Sequence, residues 1–208
     1  LLVGTNPRWE ASLVNTRIRK AVKAGARVFS IGPEVDLTYP VTRFGNDLSL
    51  LGRLPQEVGD AFAAAARPAL IVGAGALKVP GTQAATLALV ESLNLLRDGW
   101  NGYNVLHTAA ARTGGLMLGW AYPGGVKAIA AQQPQLLFML GADELDASAF
   151  AGAFKVYIGH HGDRGAHAAD LILPSAAYTE KHGIYVNLEG RVQYSEKAVE
   201  PPGDARED

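Results

Sequence analysis

The stretch Ala69-Leu-Ile-Val-Gly-Ala-Gly-Ala76 is a short apolar run that ends at glycine and leads towards a helical segment. The same pattern recurs at Leu1–Gly4, Arg27–Gly32, Leu136–Gly141 and Lys155–Gly159, with the shorter run Leu171–Leu173 after them. Apolar runs without polar alternation are typical of strands that are buried on both faces, as in a parallel sheet. The sequence therefore predicts mostly parallel sheets.

Helical patterns lie between these strands, at Glu10–Ala24, Pro55–Ala66, Thr82–Leu96 and Gly125–Gln132. Strands and helices in alternation predict a Rossmann-like, doubly wound α/β fold. A break near Leu54–Pro68 predicts two Rossmann-like halves, residues 1–66 and residues 67–208, of which the second ends in an irregular tail. The third helix is apolar almost all round, so we expect it to be well buried.

Composition excludes several classes of function. The net charge is −1 and no basic excess exists, so nucleic acid is not an expected partner. No apolar run reaches the roughly 18 residues of a membrane span, so direct membrane insertion is not expected. Cysteine is absent from the 208 residues, which excludes disulfides, cysteine-ligated zinc and iron–sulfur clusters among them. Leu1 lies inside a predicted strand, and Pro201–Asp208 is typical of a linker or a cut end, so we expect a fragment of a longer chain.

Three strand-end loops are the candidate ligand sites, because open α/β sheets bind ligands at the carboxyl ends of their strands. They are Gly4-Thr5-Asn6-Pro7, Val72-Gly-Ala-Gly-Ala76 and Gly141-Ala-Asp-Glu144. The first also suits an ordinary turn, and the second has Lys78 where a phosphate-binding loop has its third glycine. In the third, Asp143, Glu144 and Asp146 suit acid–base work or cation binding, and equally a solvated helix start.

Two further clusters also suit plain structural roles. The metal-like set, His160, His161, Asp163 and His167, has irregular spacing and glycine on both sides of Asp163, so we expect a hydrogen-bonded loop and no metal. The aromatic stretches Trp100–Val105 and Trp120–Pro123 suit an exposed interface or packed loops over a core, and the sequence leaves both interpretations open.

The C-terminal part of the chain carries a resemblance. Ala169-Asp-Leu-Ile-Leu-Pro174, followed by Glu-Lys-x-Gly-x-Tyr-x-Asn-x-Glu-Gly-Arg-x-Gln over residues 180–193, resembles the molybdopterin oxidoreductase superfamily. Leu2–Pro7 resembles the superfamily's G-x-N-P turn, and Leu137–Glu144 is similar to its second nucleotide-side strand and loop. The resemblance implies the fold of the formate dehydrogenase and DMSO reductase domains.

That superfamily contains molybdenum and tungsten enzymes and also the large iron–sulfur (G or 75 kDa) subunits of respiratory complex I. Ile31-Gly-Pro-x-Val-Asp-Leu-Thr-Tyr39 looks like the complex I version, because the pterin enzymes usually have Asp-Pro-Arg after this strand. Phe44-Gly-Asn-Asp-Leu48 stands where the pterin enzymes have a Pro-Gly-Thr-Asp loop. Both differences favour the complex I subunits.

The complex I resemblance implies a scaffold with no catalytic residues and no cofactor of its own. The iron–sulfur clusters of the parent chain would lie upstream, and the partners would be other peripheral-arm subunits of complex I. The parent would carry out NADH:quinone oxidoreduction at the cytoplasmic face of a bacterial inner membrane. We expect side chains to fill the old cofactor cleft.

Two alternatives stay open. A molybdenum or tungsten oxidoreductase of the formate dehydrogenase type would use Thr5, Asn6, Gly73 and Asp143 to line a pocket for a pterin nucleotide. An unrelated Rossmann-like small-ligand binder would show an empty, well-formed cleft at the strand ends.

Overall fold

The computed structural model describes residues 1–208, which form two units, Leu1–Ala109 and Ala110–Asp208. The boundary differs from the predicted one at residue 66. The reason is that two strands beyond residue 66 complete the sheet of the first unit, so a cut at 66 would divide one core.

The strands of the first unit are short: β1 (Leu2–Val3), β2 (Phe29–Ile31), β3 (Thr42–Arg43), β4 (Leu70–Gly73), β5 (Leu96–Arg97), β6 (Trp100–Asn101) and β7 (Tyr103–Leu106). Five of them form one parallel sheet in the order β3-β2-β1-β4-β7. The chain runs from β1 to one side of the sheet and returns to the other side for β4. This is the predicted doubly wound order, and its topological switch point lies between β1 and β4.

The helices of the first unit are α1 (Pro7–Glu10), α2 (Ser12–Lys23), α3 (Gln56–Ala64), α4 (Ala74–Leu77) and α5 (Thr82–Ser92), with a 3₁₀ helix at Leu48–Gly52. The prediction for Thr82–Leu96 was too long, because Asn94 turns the chain with a left-handed φ of 48° and Leu96 belongs to β5. The helix is also less buried than expected. Thr82, Thr86 and Val90 are buried on one face, whereas Leu87 is exposed.

Glycine lets the strand ends of the first unit approach each other closely. A Cβ built on Gly73, the last residue of β4, would lie 2.2 Å from the carbonyl oxygen of Gly4. A Cβ on Gly4 would lie 2.5 Å from the Cβ of Ala76, and Gly4 itself has a φ of 53°, which favours glycine. The two sides of the switch point are therefore in backbone contact. Buried apolar side chains of the strands and helices pack beneath them, among them Val3, Ile31 and Val72.

The second unit contains β8 (Leu136–Leu140), β9 (Phe154–Gly159), β10 (Leu171–Pro174), β11 (Gly183–Val186) and β12 (Val192–Ser195). Its helices are α6 (Arg112–Met117), α7 (Gly125–Ala131) and α8 (Arg164–Ala168), with a 3₁₀ helix at Ala147–Phe150. The first three strands form a parallel sheet in the order β10-β9-β8, and β11 and β12 form an antiparallel hairpin. The predicted strands of this half are confirmed, whereas the hairpin was not predicted.

The outer strands β8 and β10 expose apolar side chains on one face of their sheet, whereas Val156 of the central strand is buried there. Alternate residues of a strand share a face, and Leu136, Phe138 and Leu140 of β8 are all about half exposed or more. The register places Leu171 and Leu173 of β10 on the same side, through their shared partners in β9. We call these five residues the apolar face. On the opposite side, Met139 and Tyr157 are buried against Ala166 of α8.

The C-terminal tail is fastened to the second unit, contrary to the prediction of a linker. Arg206 forms a parallel bridge with Ser175, and its amide nitrogen donates to the carbonyl oxygen of Pro174 at 3.1 Å. Lys181 pairs with Asp208, and Ala205 is buried. Composition marked this segment as irregular, but pairing with the end of β10 depends on tertiary contacts that composition does not contain. None of the helices combines the length and apolar character that crossing a bilayer requires.

Two tyrosines have hydroxyl groups that are hard to ionise. Burial raises the pKa of Tyr39 to about 12, and its hydroxyl donates to Asn15 Oδ1 at 2.7 Å. Burial, followed by the hydrogen bond to the Asp143 carboxylate, raises the pKa of Tyr157 to about 12. Ionising either hydroxyl would place a charge in a poorly hydrated position.

The glycine contact generates a stability prediction. Gly73→Ala should lower the free energy of unfolding by about 1–3 kcal/mol, because the new methyl group overlaps the Gly4 carbonyl and the backbones must separate. Gly59→Ala is the matched control, since a Cβ there meets nothing within 4 Å in the middle of α3. It should raise stability by about 0.5–1 kcal/mol. Urea denaturation measures both, and equal effects of the two substitutions would contradict the contact.

The tyrosines generate a pH prediction. Each has a folded-state pKa of about 12 against a usual value of 10, so the folded chain holds these protons more tightly than the unfolded chain. Their contribution to stability is complete below pH 10 and is lost as the pH rises from 10 through 12. Urea midpoints measured across this range should fall, and the fall should be smaller in the double variant Tyr39→Phe/Tyr157→Phe. An unchanged slope in that variant would show that other groups cause it.

Candidate functional site

The first strand-end turn is occupied by the chain's own carboxylate. Thr5 is buried directly after β1, and its hydroxyl donates to Glu10 Oε2 at 2.6 Å. The amide nitrogen of Asn6 donates to the other oxygen, Glu10 Oε1, at 3.1 Å. Pro7 begins α1 with the φ that a first helical residue needs, and this single turn brings Glu10 back over the strand end. These two donors therefore already have an anionic partner.

Asn6 has one unsatisfied side-chain atom. Its side-chain oxygen Oδ1 is buried and has no hydrogen-bond partner. This is an acceptor, so it suits an N–H or O–H group and does not suit a phosphate oxygen. It is the one unsatisfied polar atom among the candidate residues of this turn.

The loop after β2 is fastened to the helix pair α1 and α2. Arg8 of α1 pairs with Asp36 at 2.8 Å, and the hydrogen bond from the Thr38 amide, followed by Arg8, lowers the pKa of Asp36. Asn15 of α2 is buried and donates to the carbonyl oxygen of Leu37 at 3.3 Å, while accepting from Tyr39. Residues 31–39, which resemble the complex I sequences, thus form a loop that is hydrogen-bonded to α1 and α2.

The second strand-end turn offers no cradle for a phosphate. Gly73 faces the Gly4 carbonyl oxygen and the Thr5 side chain, the second at 3.0 Å from a built Cβ. A cradling loop presents backbone N–H groups to solvent, and here the chain itself fills the space in front of the glycine. Thr5, Asn6 and Gly73 are therefore brought together as predicted for a pocket, but they are packed against one another.

The third strand-end loop, which belongs to the second unit, uses its first carboxylate internally. Asp143 accepts from the Tyr157 hydroxyl at 2.9 Å through one oxygen and from the Gly165 amide at 3.1 Å through the other. Asp146 accepts from the Ser148 hydroxyl and amide, which lowers its pKa and caps the 3₁₀ helix. The sequence allowed the acidic residues 143–146 to be either a reactive cluster or a solvated helix start, and Asp146 is at a helix start.

A cavity of about 440 Å³ lies beside Asp143. It is lined by Asp143, Glu144, Asp163, Arg164 and His167. This space is an open depression at the surface of one unit, so the expectation that side chains fill the old cofactor cleft stays a prediction. Charged side chains stay hydrated at the rim and do not close over the space as apolar ones would. With three carboxylates and one guanidinium, the lining repels an anionic ligand at neutral pH.

The predicted loop is present at His160 and His161, which follow β9, whereas His167 lies in the helix α8. His160 and His161 are exposed with ring centroids 4.3 Å apart, and the backbone of His167 donates to the carbonyl oxygen of Asp163 at 3.0 Å. No group of three histidine or carboxylate side chains is arranged to hold a metal ion.

The two aromatic stretches differ in role. Trp100 packs in the first unit, where its indole N–H donates to the carbonyl oxygen of Pro68 at 2.8 Å and Arg67 lies over its ring. The same stretch supplies β6 and β7, which were predicted as loop. In the second unit, Trp120 is 80% exposed and Tyr122 is about half exposed. The packed interpretation fits Trp100 and the interface interpretation fits Trp120.

Sequence reasoning missed Glu10. A signal was present, because an acidic residue one turn after a Thr-Asn-Pro start is a relative of the capping box, which returns a carboxylate to the first free N–H groups. The register differs by one residue from that motif, since Glu10 lies four residues after Asn6.

Known proteins resemble this chain over its full length. The sequence profile of the family described as molybdopterin oxidoreductase matches residues 1–208. Similar chains include the G subunit of the NADH-quinone oxidoreductase of Rickettsia bellii at 44% identity, the mitochondrial NADH-ubiquinone oxidoreductase 78 kDa subunit of Candida albicans at 42%, and the NADH-ubiquinone oxidoreductase 75 kDa subunit of Reclinomonas americana at 42%.

Each alignment covers 100% of this chain and 31%, 29% and 32% of the respective relative. The chain therefore spans about a third of the length of the curated relatives it matches. Since the profile covers every residue and the parallel strand order agrees with the fold that the resemblance implied, the chain belongs to the molybdopterin oxidoreductase family.

Proposed function

We propose that this chain is a structural part of the large iron–sulfur (G or 75 kDa) subunit of a complex I-type NADH:quinone oxidoreductase. The observation that carries the proposal is 41–44% identity over the whole chain to relatives bearing the names of that subunit. Electron transfer from NADH to quinone belongs to the parent assembly. The iron–sulfur clusters are held outside these 208 residues, which contain no cysteine.

The family name implies a pterin cofactor, and the residues present do not fit its anionic part. The donors of the first turn, Thr5 and Asn6, are bound to Glu10, and Gly73 is packed against Gly4. In the second unit both oxygens of Asp143 are used, and the neighbouring cavity is acidic. These residues therefore support no catalytic step through a pterin.

A scaffold role is supported by the surfaces of the second unit. The apolar face of β8 and β10 is exposed, and so is Trp120. Contiguous exposed apolar surface of this kind marks contact sites between proteins. We assign the apolar face to a neighbouring peripheral-arm subunit, with the parent held at the cytoplasmic side of a bacterial inner membrane.

Elemental analysis of the native assembly tests the proposal. The natural protein is captured from source membranes with an antibody against this chain and assayed for iron, molybdenum, tungsten and NADH:ferricyanide activity. Iron without molybdenum or tungsten, together with NADH oxidation in a large assembly, supports the complex I role. Near-stoichiometric molybdenum or tungsten refutes it and favours the formate dehydrogenase type.

A substitution on the apolar face gives a sharper prediction. Phe138→Asp, made in the natural gene, should reduce recovery of the assembled complex by at least about tenfold, because a buried unpaired carboxylate costs several kcal/mol at an interface. Val199→Asp, which charges an exposed apolar residue outside the sheet, is the matched control and should assemble normally. Equal recovery of the two variants by native gel electrophoresis would remove the apolar face from the interface.

A further inference from the structure

We propose that Glu10 is a built-in carboxylate ligand of the first strand-end turn, where it takes the place that an anionic phosphate would otherwise occupy. The inference rests on the proposed function in one respect, the absence of a pterin nucleotide at this turn. It goes further because it names Glu10 as the side chain that accepts from the Thr5 and Asn6 donors in the absence of a nucleotide.

The location of the turn is the first argument. Gly4, Thr5 and Asn6 follow β1 at the point where the strand order reverses, between β1 and β4. Open α/β sheets bind ligands at this point, and the phosphates of a dinucleotide meet the N–H groups of the first strand-to-helix turn. The Thr5 hydroxyl and the Asn6 backbone amide are donors at this turn, and Glu10 accepts from both.

The chemistry of the partner is the second argument. A carboxylate resembles a phosphate in sharing its negative charge among its oxygens, and each Glu10 oxygen accepts one hydrogen bond, at 2.6 and 3.1 Å. Because the carboxylate comes from the chain itself, its binding carries no cost of capturing a free ligand.

The surroundings are the third argument. Gly73 and Ala76 approach Gly4 so closely that the far side of the turn has no room for a second group. Arg8, the cation nearest in sequence, is paired with Asp36 and is therefore not directed at the turn. A bound phosphate would need to displace Glu10 and would meet its negative charge, so the wild-type turn excludes anions.

Hydrogen exchange at the turn is the test, measured by mass spectrometry on the full natural chain. In Glu10→Ala, the Asn6 amide should exchange on the order of tenfold faster, since it loses a charge-assisted bond. Formate should restore protection in this variant, and chloride at the same ionic strength should not. Inorganic pyrophosphate should leave the wild-type turn unchanged.

Matched variants keep the proposal falsifiable. Glu91→Ala removes an exposed carboxylate from α5 and should change neither the exchange at Asn6 nor its response to formate. If Glu10→Ala does not fold, Glu10→Gln retains the length and an acceptor oxygen and should show a smaller acceleration of the same kind.

Three results would overturn the assignment. They are unchanged exchange in the Glu10 variants, protection restored equally by chloride and formate, and protection of the wild-type turn by pyrophosphate. The molybdenum and tungsten assay is separate, so a metal-free protein whose turn does not respond to formate would refute the role of Glu10 while leaving the scaffold function intact.

Discussion

The backbone contact between Gly4 and Gly73 is the constraint on which the first unit depends. It joins the two sides of the switch point, where a Cβ on Gly73 would overlap the Gly4 carbonyl and a Cβ on Gly4 would overlap Ala76. Because β1 and β4 are neighbours at the centre of the sheet, this contact sets how closely the strand-end turns converge. The residues placed above those turns, including Thr5, Asn6 and Glu10, take their positions from that approach.

Doubly wound α/β folds bind dinucleotides at the carboxyl ends of their strands. In this chain, side chains occupy that position in the first unit, whereas space remains there in the second unit. In the first unit, one carboxylate satisfies two donors and a hydrogen-bonded loop is tied to α1 and α2 by Arg8 and Asn15. In the second unit, the strand-end cavity persists, but its acidic lining does not suit a phosphate. The first unit has its donors occupied and the second presents negative charge, and neither arrangement suits a phosphate.

The two sides of the sheet in the second unit differ in their exposure to solvent. Its buried side is small, built around Met139 and Tyr157, whereas the opposite side of the sheet exposes leucine and phenylalanine. Exposed apolar surface costs free energy in water, and an assembly recovers it when a partner covers the surface. The side of this sheet with the exposed apolar residues is therefore the side that suits assembly.

The α/β class, the apolar strands that end at glycine, the four main helices and the family all follow from the amino-acid sequence, because they depend on local periodicity and on motif order. The boundary at Ala109–Ala110, the strand β7 and the docking of Arg206 beside Ser175 follow only from tertiary contacts, since each needs a partner distant in the chain. The candidate site divides in the same way. The four residues of the molybdopterin alternative, Thr5, Asn6, Gly73 and Asp143, could be named from the sequence. Their contacts with Glu10, Gly4 and Tyr157 could not. Hydrogen-bond partners are chosen by geometry in space, and spacing along a chain does not specify that geometry.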